Sequence, residues 1–315
     1  MAPAITRPAG ALRHPSDGPI TPRRRDIVLP GRGAGALAAF EFGPVDRPID
    51  LIFLHANGFN ALTYRAILAP LADRLRILAI DQRGHGATTL STDFHGRTNW
   101  HDFRDDLLAL ITALDLNDVV LAGHSMGGTS SLLAAAEAPD RVRRLVLLDP
   151  VILPPDAPLA TGEAAELHAS LIEGARRRRT LFPSRAAALE AYRGRGAFRT
   201  WNDAMLADFV AGGFRDLPSG EVALACDPAW EASSYAFQAH DPWSAFQRSA
   251  CEIRILRAEH QSTCRVEGRI DALTASGRIS IETVAGTSHF LPMERPNLVT
   301  KVLREAARPT GPAPA

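Results

Sequence analysis

The chain has 315 residues, 46% of them hydrophobic and 22% charged, a globular composition long enough for one large domain or two small ones. Thirty-five basic side chains balance thirty-five acidic ones, which argues against a nucleic-acid or anionic-membrane partner, since both select a net basic surface. No run approaches the ~20 apolar residues of a membrane span, and Cys226, Cys251 and Cys264 have neither metal-ligand nor redox spacing, so they read as structural thiols of a reducing compartment.

Residues 1–25 hold five Pro and little apolar periodicity and read as a flexible tail. Arg23, Arg24 and Arg25 invite a comparison with an export signal. Asp26, Pro30, Arg32 and Glu41 interrupt the run that follows, so it lacks the apolar segment such a signal needs, and a cytoplasmic location is expected. Strands are expected at Asp26–Pro30, Ala36–Phe42, Asp50–His55, Arg76–Asp81, Asp118–Gly123 and Leu145–Asp149. The last four are nearly continuous Val/Ile/Leu runs, as in parallel strands buried on both faces. Helical patterns lie between them at Tyr64–Arg74, Phe103–Leu114 and Gly128–Ala138. This alternation implies a mostly parallel sheet with right-handed crossovers.

After Pro150 the rhythm changes. Residues 151–245 are rich in Ala and Arg, with amphipathic segments at Glu163–Arg179, Arg185–Arg193 and Trp201–Ala211 and no strong strand run; they read as an inserted helical cap. Alternation returns with a strand at Ile253–Arg257, a helix at Arg265–Ser276, a strand at Ile279–Val284 and a helix at Asn297–Arg308. One interrupted sheet means one α/β core, residues 26–150 and 246–308, and residues 309–315 read as a second flexible tail.

The strongest chemical signal is Gly123-His124-Ser125-Met126-Gly127. The pattern alone is weak, but here it links a buried strand to a helix. Such a sharp turn strains the serine backbone, projects its side chain at the top of the sheet and aims helix N–H groups at it. Ser125 is therefore the expected nucleophile. A serine hydroxyl needs a base, and His289, in a polar loop just after the last strand, is the expected one.

These features resemble the α/β-hydrolase superfamily. His55-Ala56-Asn57-Gly58-Phe59 is similar to its His-Gly-type loop. Asp81-Gln82-Arg83-Gly84-His85-Gly86 is similar to its Asp-x-Arg-Gly-x-Gly segment, and Ser288-His289-Phe290 completes the order. The overall pattern resembles the capped esterase branch. Ser125 stands where haloalkane- and epoxide-cleaving relatives carry Asp, which argues against their chemistry. The resemblance implies an oxyanion hole from the backbone N–H groups of Asn57 and Met126. His55, His124 and Phe59 are the candidate substrate-binding residues, with packing next to the nucleophile the first expectation for His124. The resemblance also implies a third member, an acid in the loop Arg257–Ser262, where Gln261 stands in its usual place. Asp149, ending the sixth strand, is the favoured substitute and Glu259 the alternative. Asp81, Arg83 and His85 are expected to shape a turn. The run Arg176–Arg179 is expected to be a solvated helix end, with an anion clamp as the sharper reading.

Together these readings predict hydrolysis of a carboxylic ester or related acyl bond in a small molecule, with no cofactor or metal. An acyltransferase or a carbon–carbon bond hydrolase would use the same residues, and a non-catalytic ligand-binding module is the alternative of another class. The aromatic cap residues Phe182, Phe198, Trp201, Phe209, Phe214 and Trp230 lean toward an apolar substrate group.

Overall fold

A computed structural model describes residues 20–154 and 162–308. The expected C-terminal tail and most of the N-terminal one lie outside these residues. The strands, in chain order, are β1 (Arg23–Ile27), β2 (Leu37–Phe42), β3 (Leu51–Leu54), β4 (Ile77–Ile80), β5 (Val119–His124), β6 (Val142–Leu148), β7 (Leu181–Phe182), β8 (Phe214–Asp216), β9 (Val222–Leu224), β10 (Glu252–Ala258) and β11 (Ile279–Val284). Eight of them form one sheet in the order β1-β2-β4-β3-β5-β6-β10-β11. Within this sheet β2 pairs antiparallel with β1 and with β4, and the other neighbours (β4-β3, β3-β5, β5-β6, β6-β10 and β10-β11) are parallel. The chain thus folds as an α/β structure with a mostly parallel central sheet flanked by helices.

Alternation along each strand splits the core into two layers. Leu51, Phe53, Val120, Ala122, Val146 and Leu148 face one way, against the C-terminal helix Pro296–Ala306 through Val299, Val302 and Leu303. Ile52, Leu54, Leu121, Leu145 and Leu147 face the other, against the helices His101–Ala113 and Met126–Glu137. Each large apolar side chain buried this way contributes about 1.5–3 kcal/mol.

Several boundaries differ from the sequence expectation. β1 begins at Arg23, inside the supposed tail and three residues before the expected strand, because Arg23–Ile27 finds the free edge of β2. The single helix expected over Tyr64–Arg74 is three short pieces, Ala61–Tyr64, Arg65–Leu68 and Ala69–Leu71; Pro70 lacks the N–H that would continue it. The insertion is not purely helical: β7, β9 and β8 form a small antiparallel sheet beside the cap helices. The helix Pro242–Arg248 belongs to the core, because Ala245 and Phe246 pack in its second layer.

Candidate active site

The turn at Ser125 follows from small residues at two close approaches. A Cβ at Gly123 would run into the Gly127 carbonyl, and one at Gly127 would run into the carbonyl oxygen of Leu54. With both absent, β5 passes into the helix Met126–Glu137 in one residue. Ser125 carries the turn at φ 55°, ψ −122°, a region costly for a side-chain-bearing residue. Its N–H donates to Leu148 O, which ties the turn to β6.

Three side chains from three strand ends meet there. His289 Nε2 lies 3.0 Å from Ser125 Oγ, and His289 Nδ1 lies 2.6 Å from Asp149 Oδ2. The partners fix the roles: Nδ1–H donates to the carboxylate, leaving Nε2 to accept from the serine hydroxyl. Asp149 ends β6 at φ 41° and is fully buried. Its carboxylate also accepts from Ala258 N–H (2.8 Å), Thr263 N–H (3.0 Å) and the Ser262 hydroxyl. Burial alone would raise its pKa, but the hydrogen bond and charge of His289, with Ser262 and Ala258, outweigh burial and hold it below the ordinary carboxylate value. The alternative acid, Glu259, is exposed; it pairs with His260 and accepts Gly286 N–H, so it buttresses the His289 loop without meeting the imidazole. Gln261 is exposed at φ 53° in the same turn.

The loop after β3 packs beside this trio. Its amides at Ala56, Gly58 and Phe59 are all engaged, by the Tyr64 hydroxyl (3.2 Å), His85 Nε2 (3.0 Å) and Ala56 O (3.1 Å). The Asn57 side chain donates to Glu231 O of the cap (3.0 Å), so it shapes the loop against the cap. The Met126 N–H opens a helix, where first-turn amides have no intrahelical acceptor.

His55 and His124, the candidate substrate-binding histidines, are fully buried with both ring nitrogens committed inside the protein, and His124 packs next to Ser125 as first expected. His55 Nδ1–H donates to Ala56 O (2.7 Å) and Nε2 accepts Gln82 N–H (2.9 Å). His124 lies between the Tyr64 hydroxyl (2.7 Å) and His289 O (2.8 Å). Neither has a nitrogen left for a ligand, so a polar substrate contact from either ring has no free atom to make it. Phe59 is half-buried and does face the cap: it meets Trp201 and Phe209 edge-on and stacks on Phe290, next to His289. Asp81, Arg83 and His85 shape the neighbouring turn as expected. Asp81 accepts the Ala61 and Ala87 amides, and Arg83 is paired with the buried Asp106.

The cap is pinned at the helix Pro228–Ala236. Trp230 Nε1 donates to Arg83 O (2.9 Å), and its ring lies under Arg97, 4.4 Å from the guanidinium carbon. Trp230 is thus a cap anchor, whereas Phe198, Trp201 and Phe209 form the aromatic wall behind Phe59. The Arg176–Arg179 run divides: Arg177 is an exposed partner of Glu173, Arg179 lies over Phe182, and Arg178 turns inward to a mostly buried ion pair with Glu231 beside Gly58. Sequence reading missed Tyr64, Glu231, Ser262 and Thr263. Ser262 ends the loop where an acid was sought and Thr263 follows it directly, and the hydroxyls at that place were the available signal. Among the described residues, no group of three or more His, Cys, Asp or Glu is placed to hold a metal ion, and no helix is long and apolar enough to cross a membrane.

A profile described as the alpha/beta hydrolase family matches residues 51–302. The chain belongs to that family. It is similar to the 2-(acetamidomethylene)succinate hydrolase of Mesorhizobium japonicum, with 36% identity over 99 residues, 31% of this chain and 34% of the relative. The sn-1-specific diacylglycerol lipase ABHD11 of Mus musculus is 34% identical over 101 residues, 31% of this chain and 32% of that protein. The chain thus spans about a third of the length of these curated relatives. In three dimensions the similarity is wider: a crystal structure of E-2-(acetamidomethylene)succinate hydrolase superposes with a TM-score of 0.74 over 90% of this chain and 98% of the other, at 23% identity.

Proposed function

We propose that this family member is a serine hydrolase that cleaves a carboxylic ester or related acyl bond of a small molecule through an acyl-enzyme. One observation carries the reading: Ser125 Oγ, both nitrogens of His289 and the Asp149 carboxylate form an unbroken line of 3.0 and 2.6 Å contacts. In the first half-reaction Ser125 Oγ attacks the carbonyl carbon while His289 Nε2 takes its proton. Asp149 holds the Nδ1–H tautomer and stabilises the imidazolium. The carbonyl oxygen becomes an oxyanion, received by the N–H groups of Asn57 and Met126, and each such donor contributes about 3–4 kcal/mol. His289 then protonates the leaving group as the carbonyl re-forms. In the second half-reaction water gives a proton to Nε2 and attacks the ester, and Ser125 Oγ leaves with that proton. Phe59, Phe290 and Trp201 favour an apolar group on the substrate. We infer that the cycle needs no cofactor, metal, nucleic acid or membrane, and that the protein works in the cytoplasm, where its three buried free cysteines suit a reducing milieu.

The test is labelling with a fluorophosphonate, read by intact and peptide mass spectrometry. The expected result is one adduct at Ser125, absent in Ser125→Ala and slowed by orders of magnitude in His289→Ala. A panel of esters and thioesters, run with and without an alcohol acceptor, should release free acid. Product appearing mainly as a new ester would make the protein a transferase. A folded protein that binds ligands but neither labels nor turns over would overturn the enzymatic reading.

A further inference from the structure

His124 stands immediately before Ser125 and its ring is completely buried, 5.0 Å from the His289 ring centre to centre, yet it hydrogen-bonds neither Ser125 Oγ nor a His289 ring nitrogen. Its hydrogen bonds have a direction that chemistry fixes at both ends. At one end is Ala56 N–H, which can only donate, and it donates to the Tyr64 oxygen (3.2 Å). At the other end is the His289 carbonyl, which can only accept, 2.8 Å from His124 Nε2. His124 must therefore carry its proton on Nε2. Its Nδ1 is then an acceptor, filled by the Tyr64 O–H at 2.7 Å. The whole chain reads Ala56 N–H to Tyr64 Oη, Tyr64 O–H to His124 Nδ1, and His124 Nε2–H to His289 O. No member can reverse without leaving a buried group unpaired.

The two ends of this chain are the two parts of the site that must keep register. Ala56 precedes Asn57, whose amide is the proposed oxyanion donor, and His289 is the proposed base. They come from loops after β3 and β11, strands separated by β5, β6 and β10 in the sheet, so no backbone pairing relates them. Burial, with the adjacent His289, pushes the His124 pKa down to about 3, which keeps the neutral ring that the chain requires.

We propose that Tyr64 and His124 are positioning residues that act as one unit, setting the oxyanion loop and the base His289 at a fixed distance. The inference rests on the serine-hydrolase reading. It goes beyond that reading because neither residue hydrogen-bonds a reacting atom; they act through the Ala56 amide and the His289 carbonyl. A positioning unit should affect the rate of bond formation and not ligand capture, and its members should not act independently.

The experiment measures the saturating labelling rate and the apparent binding constant of the fluorophosphonate for wild type, Tyr64→Phe, His124→Gln and the double variant. Circular dichroism checks that each is folded. Tyr64→Phe is nearly isosteric, and the Gln amide can reach the place of Nε2 but not of Nδ1, so both break the chain with little change of volume. Each single variant should label about tenfold more slowly with binding unchanged within twofold. The double variant should be no slower than the worse single. Nitrogen-15 spectra of labelled histidine should show the Nε2–H tautomer at His124, and Tyr64→Phe should move its Nδ1 resonance. Single variants within twofold of wild type would overturn the proposal. So would losses that multiply in the double variant, or losses confined to binding. Wild type that fails to label would instead remove the serine-hydrolase reading, so the two failures are distinct.

Discussion

Asp149→Asn is the sharpest test of the proposed chemistry, because the structure dictates which way the amide must turn. The carboxylate uses one oxygen for Ala258 N–H and the Ser262 hydroxyl, and the other for Thr263 N–H and His289 Nδ1. An asparagine must place its NH2 on one side, where it faces a backbone N–H and leaves that donor orphaned. Ala258 is fully buried, whereas Thr263 is half-buried. Orphaning Thr263 N–H is therefore cheaper, and the NH2 goes to the His289 side. There it donates to Nδ1, so the imidazole proton moves to Nε2, the atom that has to accept from Ser125. A wrong tautomer of this kind lowers turnover by about 10⁴ in a serine–histidine–aspartate system, or about 5 kcal/mol at 1.36 kcal/mol per decade. The fold loses less, about 1–3 kcal/mol for one unsatisfied donor. Initial rates on p-nitrophenyl acetate, with a thermal melt on the same sample, read both quantities. Glu259→Gln is the control and should stay within threefold of wild type. A folded Asp149→Asn protein within tenfold of wild type would refute the argument, tautomer and all.

Two further expectations follow from burial and close approach. Burial pushes His85 down to about 4 and His124 and His240 to about 3, and carries His55 well below its ordinary value. Because these folded pKa values lie below the unfolded ~6.5, the stability they support is complete above pH 6.5 and drains on acidification, by up to about 1.4 kcal/mol per pH unit per ring. Asp81, pushed up to about 7 by burial, works in the opposite sense between pH 7 and 4, and burial raises Asp102 and Asp208 in the same sense; these three carboxyls are outnumbered by the four rings. The melting temperature should fall from pH 6.5 to pH 5, and a flat profile across that range would contradict the neutral assignments. Gly127→Ala forces a methyl group into the Leu54 and His55 carbonyls and should lower stability by at least about 1–3 kcal/mol with loss of Ser125 labelling. Gly174→Ala meets open space within the helix Gly162–Arg176 and should be neutral or stabilising by up to about 1 kcal/mol. Equal behaviour of the two alanine variants would discredit the packing account of the turn.

The core was legible because its parallel strands are buried on both faces. Leu51–Leu54, Ile77–Ile80 and Val119–Ala122 can be little else when every residue is apolar and the runs are of strand length. The turn at Ser125 was legible for a related reason, since only small residues permit it. The cap was less so. Strands of two or three residues, such as Leu181–Phe182, are too short to show a period. The helices Pro228–Ala236 and Pro242–Arg248 did announce themselves, each by an Asp N-cap followed by Pro at the first helical position, a signal that the apolar pattern masked. The hydrogen-bonded chain through Tyr64 and His124 had no sequence signature, because it joins residues 60 and 165 positions apart whose types are compatible with any core.

The missing aspartate at position 261 shows how sheet geometry can replace a sequence motif. β6 and β10 are parallel neighbours, with Leu148 opposite Leu256, so both strands end at the same rim of the sheet. Neighbouring strands lie ~4.8 Å apart, a distance one side chain spans. A carboxylate leaving either strand can therefore reach the same imidazole nitrogen. Once Asp149 occupies that place from β6, the loop after β10 has a different task. It must solvate a fully buried anion, and its Ser262 hydroxyl and Thr263 N–H join Ala258 N–H at the end of β10 as donors to that carboxylate. A second carboxylate at position 261, if it faced Asp149, would raise the pKa of one of the pair and loosen the hold on His289. Gln261 itself is exposed and uncharged, so it neither competes with Asp149 for His289 nor places a second charge beside it.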